Sequence, residues 1–309
     1  MPTLLITHPA CLDHITPAGP PERPDRLRAV EAALEQERFQ DLIRAEAPAA
    51  TFETIARCHP LDYVTEIRDA TPKQGMVRLD ADTTMSPGSL EAALRAVGGA
   101  VQAVDDVIDR KADNAFVAVR PPGHHTETAR AMGFCLFNNA AIAARHAQRR
   151  HGLDHVAVVD FDVHHGNGSQ NIFWSDASVM YCSTHQMPLF PGTGAVGERG
   201  AHNTVVNDPL RAGDGGGRFR EAFETVILPR LTNFSPDLIV ISAGFDAHRR
   251  DPLANLELVE EDFRWVTQKL MEIADSSAQG RVVSVLEGGY DLQGLSQSVA
   301  AHVTALMRG

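Results

Sequence analysis

Along Val156–Gly168 a run of apolar and β-branched residues drives straight into Asp160, Asp162, His164 and His165, then into a turn bracketed by Gly166 and Gly168. The apolar half predicts a short, fully buried strand, since so brief a run bounded by turn residues suits a strand better than a helix. On extended backbone, side chains two residues apart share a face. Asp160, Asp162 and His164 then point the same way from the carboxyl end of the strand, and Asp162 and His164 can share one cation.

The rest of the chain alternates between the two periodicities. A strand is expected over 3–7. Leu27, Val30 and Leu34 predict a helix from Asp25 to about Phe39, and a weaker helix covers 60–70. Leu90, Leu94, Val97, Val101, Val104 and Ile108 step by four and three, with Ser86 as N-cap and Pro87 at the first helical position. Further strands are expected over 115–119, 156–162, 178–183, 238–242 and 282–286. Further helices are expected over 138–150, from about Gly217 to Arg230, across Phe263–Ile273, and from Leu292 to Leu306. No linker, repeat or composition break interrupts this order. The expectation is one α/β domain over 1–309, a mainly parallel sheet sandwiched between helices. Ligands of such sheets sit outside the carboxyl ends of the strands. Four of these strand ends carry reactive side chains: RPPGHH, DFDVHH, AGFD and EGGY.

Size and charge narrow the classes. A chain of 309 residues can bury a full core, and 28 Lys+Arg against 40 Asp+Glu leave a net charge of −12. Such a balance suits a phosphate backbone poorly, so no direct nucleic-acid binding is expected. Cys11, Cys58, Cys135 and Cys182 are scattered without a CxxC pair, which favours reduced, mostly buried thiols over a zinc ribbon or disulfide framework. MPTLLITHPA lacks the basic start and long apolar run of a signal peptide. No stretch approaches the roughly 18 apolar residues of a membrane span. No membrane contact and a cytoplasmic location are expected.

Asp246, just past the strand over 238–242, is the natural third partner of Asp162 and His164. An Asp2His set leaves an open position for water and substrate, as a catalytic zinc site requires. Taken singly, each residue also fits a blander role, the carboxylates as helix caps and His164 as a core histidine. His124 and His125 follow a rigid Pro-Pro-Gly turn and can divide proton work between base and electrostatic support. Tyr290 follows two glycines that let backbone approach a ligand, and its phenol can donate to an oxyanion.

Together RPPGHH, GFCLFNN, VDFDVHHGNG, SAGFDAH and LEGGY resemble, in order and across essentially the whole chain, the motif series of the zinc-dependent histone deacetylase superfamily. The similarity is to its class II branch and to bacterial relatives that include acetylpolyamine amidohydrolases and acetoin-utilisation proteins. The resemblance implies an arginase/deacetylase-like fold and one Zn2+ per chain on Asp162, His164 and Asp246. It implies His125 as general base, with His124 beside it as an electrostatic partner bonded to Asp160, and Tyr290 polarising the acetyl carbonyl. Phe134, after Gly133, and Phe190 correspond to the aromatic walls of an acyl-lysine tunnel. K+ is implied at Asp160, Asp162, His164 and Ser183, and at a second position through the carbonyls of Phe173, Asp176 and Val179. Homo-oligomerisation is left open.

Three departures bear on this. Asn167 stands where class I members carry aspartate, which assigns the class II branch. Pro21 stands where many relatives have histidine, leaving the first loop undefined. Leu253 stands where a polyamine-selecting relative has glutamate, which favours acetyl-lysine, in a peptide or protein, over an acetylpolyamine. Asp82 is expected at the rim, facing substrate backbone or an amine. A dinuclear ureohydrolase would need acids at Gly166 and His248 and has neither. A non-catalytic acyl-ligand binding module is disfavoured because every catalytic position is filled. The glycines of 213–217 lack a following GK[ST] and are expected to form a flexible loop rather than a phosphate cradle.

Overall fold

The computed structural model describes residues 2–19 and 21–308. In chain order the elements are β1 (Thr3–Thr7), α1 (Asp25–Leu34), β2 (Ile43–Glu46), α2 (Phe52–Ile55), α3 (Leu61–Ala70), β3 (Val77–Arg78), β4 (Thr84–Met85), α4 (Ser89–Ile108), β5 (Asn114–Val117) and α5 (Asn139–His151). They continue with β6 (Val156–Asp160), α6 (Asn167–Phe173), β7 (Val179–Gln186), β8 (Val205–Leu210), α7 (Gly216–Ala222), α8 (Leu228–Phe234), β9 (Leu238–Ala243), α9 (Glu260–Ser277), β10 (Val282–Leu286) and α10 (Leu292–Leu306).

Among the described residues, eight strands form one sheet in the order β2-β1-β5-β10-β9-β6-β7-β8, every pairing parallel. The single α/β domain expected from the alternation is what forms. The apolar runs explain the middle of the sheet: β5, β6, β9 and β10 are buried along their whole length, as strands covered by helices on both faces must be. A small antiparallel hairpin, β3–β4, stands apart and carries Asp82 in its turn.

The edge strands escaped sequence reading. β2 has mostly exposed residues and β8 contains Pro209, a residue that a sheet tolerates at an edge, so neither carries a strong strand signal. α1 stops at Leu34, five residues earlier than expected, because Glu35–Arg38 offers no apolar side chain to bury. α4 starts at Ser89, not at Pro87. Ser86 is no N-cap: its Oγ accepts the Ile15 amide at 3.0 Å and so ties the first loop to the helix. The helix expected from Gly217 to Arg230 runs on to Phe234 through a π-helical turn over Phe223–Ile227. Pro229 has no N–H to donate, and the wider turn accommodates its ring.

Candidate active site

β5, β10, β9 and β6 lie side by side at the centre of the sheet, so the four reactive strand ends open onto one another. The chain leaves β5 for β6 and later fills the gap between them with β9 and β10. RPPGHH, EGGY, AGFD and FDVHH meet for that reason.

β6 ends at Asp160, two residues short of the strand expected from sequence. Asp162 and His164 are therefore gathered by a turn and not by strand pleating. Carboxylates hold that turn. Asp160 Oδ1 accepts the Asp162 amide at 3.1 Å, Asp162 Oδ1 the His164 amide at 2.9 Å, and Asp246 Oδ1 the Val163 amide at 2.8 Å. His164 Nδ1 lies 3.3 Å from Asp162 Oδ1 and 3.0 Å from Asp246 Oδ2, and all three residues are buried. Burial works against the His164 cation, yet Asp162 and Asp246 outweigh it and push the imidazole up to about 10. Burial and the Asp162 charge push Asp246 above the usual carboxylate range. A Cβ at Gly244 would collide with Asp162, and one at Gly288 with both carboxylates. Glycine at these two strand ends is what admits the pair. Two acidic oxygens and one imidazole nitrogen, crowded and shielded from water, fit a zinc ion with an open coordination position.

His124 and His125 are shifted in opposite directions. His124 Nδ1 sits 3.0 Å from Asp160 Oδ2, and although burial disfavours its cation, Asp162, Asp160 and Glu287 together raise it well above the ordinary histidine value. His125 is pushed well below that value by burial and then by the positive charges of His124 and His164. Asn167 donates to Glu127 Oε1 at 2.9 Å, which turns its carbonyl oxygen toward His125 Nδ1, 2.9 Å away. His125 then carries its proton on Nδ1 and presents a bare Nε2. Glu287, the acid of EGGY, pins the turn: its Oε2 accepts the Gly123 and His124 amides at 2.7 and 3.1 Å.

A cavity of about 280 Å³ opens above these groups, lined by Asp82, His125, Gly133, Phe134, His164, Leu189, Phe190, Leu253 and Tyr290. Every substrate-contact residue expected from sequence lies on it, and Leu189 joins them. Phe134 packs edge-on to Tyr290 at 5.9 Å, and Phe190 packs against His125 at 5.1 Å, 42% exposed at the mouth. Gly133 and Phe134 have φ +58° and +67°. The hairpin turn holds that left-handed pair, with Asp82 Oδ1 accepting the Gly133 amide at 3.0 Å and Thr83 Oγ1 the Phe134 amide at 3.1 Å. A Cβ on Gly133 would press into the His125 ring. Gly133→Ala is expected to cost about 1–3 kcal/mol of stability and, by displacing His125, to lower kcat. Urea unfolding and turnover check this, and a folded variant with unchanged kcat would contradict it.

Tyr290 is buried, and burial raises its phenol well above the ordinary value, so it stays a proton donor. Its amide donates to Asp251 Oδ2 at 2.7 Å, while Asp251 Oδ1 accepts the Leu253 amide at 2.9 Å. The Arg26 guanidinium lies 4.8 Å over the phenol ring. Sequence reasoning missed Asp251, Arg26 and Glu287. The one signal on offer was Asp251-Pro252, an aspartate positioned to cap a turn.

The residues expected around monovalent cations lie in two places. Asp160 and Ser183 are partners across β6 and β7, next to Asp162 and His164. Phe173, Asp176 and Val179 lie close in sequence, where Arg145 pairs with Asp176 Oδ2 at 2.7 Å and lies 5.2 Å over the Phe173 ring. Among the described residues no helix is long and apolar enough to cross a membrane.

A family model of the histone deacetylase domain matches residues 20–306. The chain is 38% identical over 307 residues to histone deacetylase 14, chloroplastic, of Arabidopsis thaliana, covering 93% of this chain and 73% of that protein. It is 39% identical over 278 residues to the histone deacetylase-like amidohydrolase of Pseudomonas aeruginosa, covering 88% and 73%. The crystal structure of the HDA15 HD domain matches with a TM-score of 0.94 at 36% identity, over 99% of this chain and 88% of that one.

Proposed function

The chain belongs to the histone deacetylase family, and from that premise we propose that it hydrolyses N-acetyl amides, with acetyl-lysine of peptides or proteins as substrate and one zinc ion held by Asp162, His164 and Asp246. The observation that carries this reading is the floor of the cavity, where the His125 imidazole, the Tyr290 phenol and His164, which stands in contact with Asp162 and Asp246 behind it, line one aromatic-walled slot. Zinc in that position supplies a Lewis acid and lowers the pKa of a water.

The chain's own groups do the rest. His125 Nε2 takes the proton of the attacking water and returns it to the departing amine nitrogen. His124, shifted toward its cation by Asp162, Asp160 and Glu287, adds to burial in lowering His125 and brings positive charge beside the reacting carbon. The Tyr290 hydroxyl donates to the oxyanion of the tetrahedral adduct. Phe134 and Phe190 sandwich the acyl-bearing methylene chain and exclude water. K+ at Asp160, Asp162, His164 and Ser183, and at a second position through the carbonyls of Phe173, Asp176 and Val179, belongs to this proposal.

Leu189, Leu253 and Phe190 make the mouth mainly apolar, which suits the stem of a lysine. Asp82 on the same rim favours a second reading, an acetylpolyamine whose free ammonium pairs with that carboxylate. The test is kcat/KM of the zinc-loaded protein on an acetyl-lysine peptide and on acetylputrescine. A preference for the peptide of about tenfold, or roughly 1.4 kcal/mol of transition-state binding, supports the first reading, and the reverse preference supports the second. Removal of metal by a chelator is expected to abolish turnover and added zinc to restore it. No turnover of either substrate with zinc bound would overturn both.

A further inference from the structure

Away from the cavity, α4 and α5 bring together a second group of ligand-type side chains. Asp105 stands on α4, and His146 and His151 stand on the last two turns of α5. His146 Nε2 and His151 Nε2 lie 2.7 and 2.6 Å from the same oxygen, Asp105 Oδ1. His146 is buried while Asp105 and His151 are partly exposed, so water and ions reach the group from one side.

We propose that Asp105, His146 and His151 form a second divalent-cation site, for zinc or a similar borderline ion, that clips α4 to α5 and takes no part in the hydrolysis. Two imidazoles and a carboxylate, with the fourth side open to water, match the ligand preference of zinc. Both histidines leave the final stretch of one helix, five residues apart, and their orientation is fixed by helix packing and not by a loop.

The geometry also ranks the two sites. Zinc–ligand distances of about 2.0–2.1 Å at tetrahedral angles hold ligand atoms about 3.3 Å apart. Asp162, His164 and Asp246 are already near that spacing, at 3.0 and 3.3 Å. Asp105 and its histidines sit at 2.6 and 2.7 Å and must spread to admit an ion. Arg57 adds a further cost. Its Nη1 lies 2.5 Å from His146 Nδ1. A guanidinium only donates, so that nitrogen is bare and the His146 proton sits on Nε2, the atom a metal needs. Binding therefore requires a tautomer change at His146 and withdrawal of Arg57. The second ion binds more weakly than the first, and Arg57 is the reason that can be tested.

Zinc titration of the whole chain against a chromophoric chelator, followed by thermal melting, tests this. Wild type is expected to take up a second equivalent and to melt higher with it. His151→Ala and Asp105→Asn are each expected to weaken the second equivalent by about tenfold or more, leaving the first equivalent and turnover unchanged. Arg57→Met is expected to tighten the second equivalent, a gain that misfolding cannot mimic. The proposal is overturned by a second equivalent that survives both His151→Ala and Asp105→Asn. It is also overturned if neither wild type nor Arg57→Met binds a second equivalent below about 0.1 mM free zinc. Both results leave the reading of the cavity untouched, since the first equivalent and turnover report on it separately.

Discussion

Tyr290→Phe is expected to lower kcat by about 10²-fold or more, equivalent to roughly 2.7–4 kcal/mol of lost oxyanion stabilisation, with a much smaller change in KM. The substitution keeps the ring that packs against Phe134 and lies under Arg26, and removes only the hydroxyl. Its partner forms only when the carbonyl carbon becomes tetrahedral, so the loss falls on the transition state and not on the ground state. The backbone anchor from the Tyr290 amide to Asp251 is untouched, so the fold should be unaffected. Steady-state kinetics of the zinc-loaded variant decides it. Retention of wild-type kcat would mean that Tyr290 lines the pocket without taking part in the chemistry.

The second large effect is on stability and comes from a residue that no motif singled out. Glu22 is fully buried beside two fully buried arginines. It accepts from Arg120 Nε at 2.5 Å and Nη2 at 2.6 Å, and from Arg26 Nη1 at 3.0 Å. Arg26 also donates to the Gly289 carbonyl at 2.6 Å and the Glu287 carbonyl at 2.5 Å, on either side of the turn that leads into Tyr290. Glu22 thus neutralises one of two cations and, through Arg26, ties the first loop to the turn before Tyr290. Glu22→Gln leaves both guanidiniums without a counter-charge, and breaking a buried pair in this way costs about 3–5 kcal/mol.

The same group sets a pH dependence. Burial opposes the Glu22 carboxylate, but Arg120 and Arg26 outweigh it and hold it down at about 2 against an ordinary 4.5. A lowered folded-state value means stability that is fully present above the ordinary carboxylate range and is lost as pH falls from about 4.5 to about 2. That loss amounts to about 3 kcal/mol. Urea unfolding at a series of pH values should show wild type and Glu22→Gln far apart at pH 7 and converging in that acid window. A variant within about 1 kcal/mol of wild type at neutral pH would show that Glu22 contributes no more than a surface pair.

What could be read ahead of the structure follows a physical line. Central strands such as Val156–Asp160 and Leu238–Ala243 are buried on both faces, so their sequences are nearly pure apolar runs. The edge strands Ile43–Glu46 and Val205–Leu210 have one free side, tolerate arginine, glutamate and proline, and gave no comparable pattern. Motif-bearing residues such as His124, His125 and Tyr290 were visible because each interrupts an apolar or glycine-rich context. Glu22, Arg26, Asp251 and Leu189 sit in loops, where their burial depends on what is packed over them, and nothing local marks them out.

The order of residues alone carries the alternation that yields a parallel sheet, and marks which four strand ends carry acids, imidazoles and a phenol. Those follow from periodicity and residue chemistry, which are local. That these four strands are neighbours comes from the folded chain, since adjacency depends on β9 and β10 filling the gap left between β5 and β6. The folded chain also set the opposite directions in which His124 and His125 are shifted. Their chemistry is identical and their positions consecutive, but one faces Asp160 and the other an amide, and electrostatic energy depends on distance in space and not on separation along the chain.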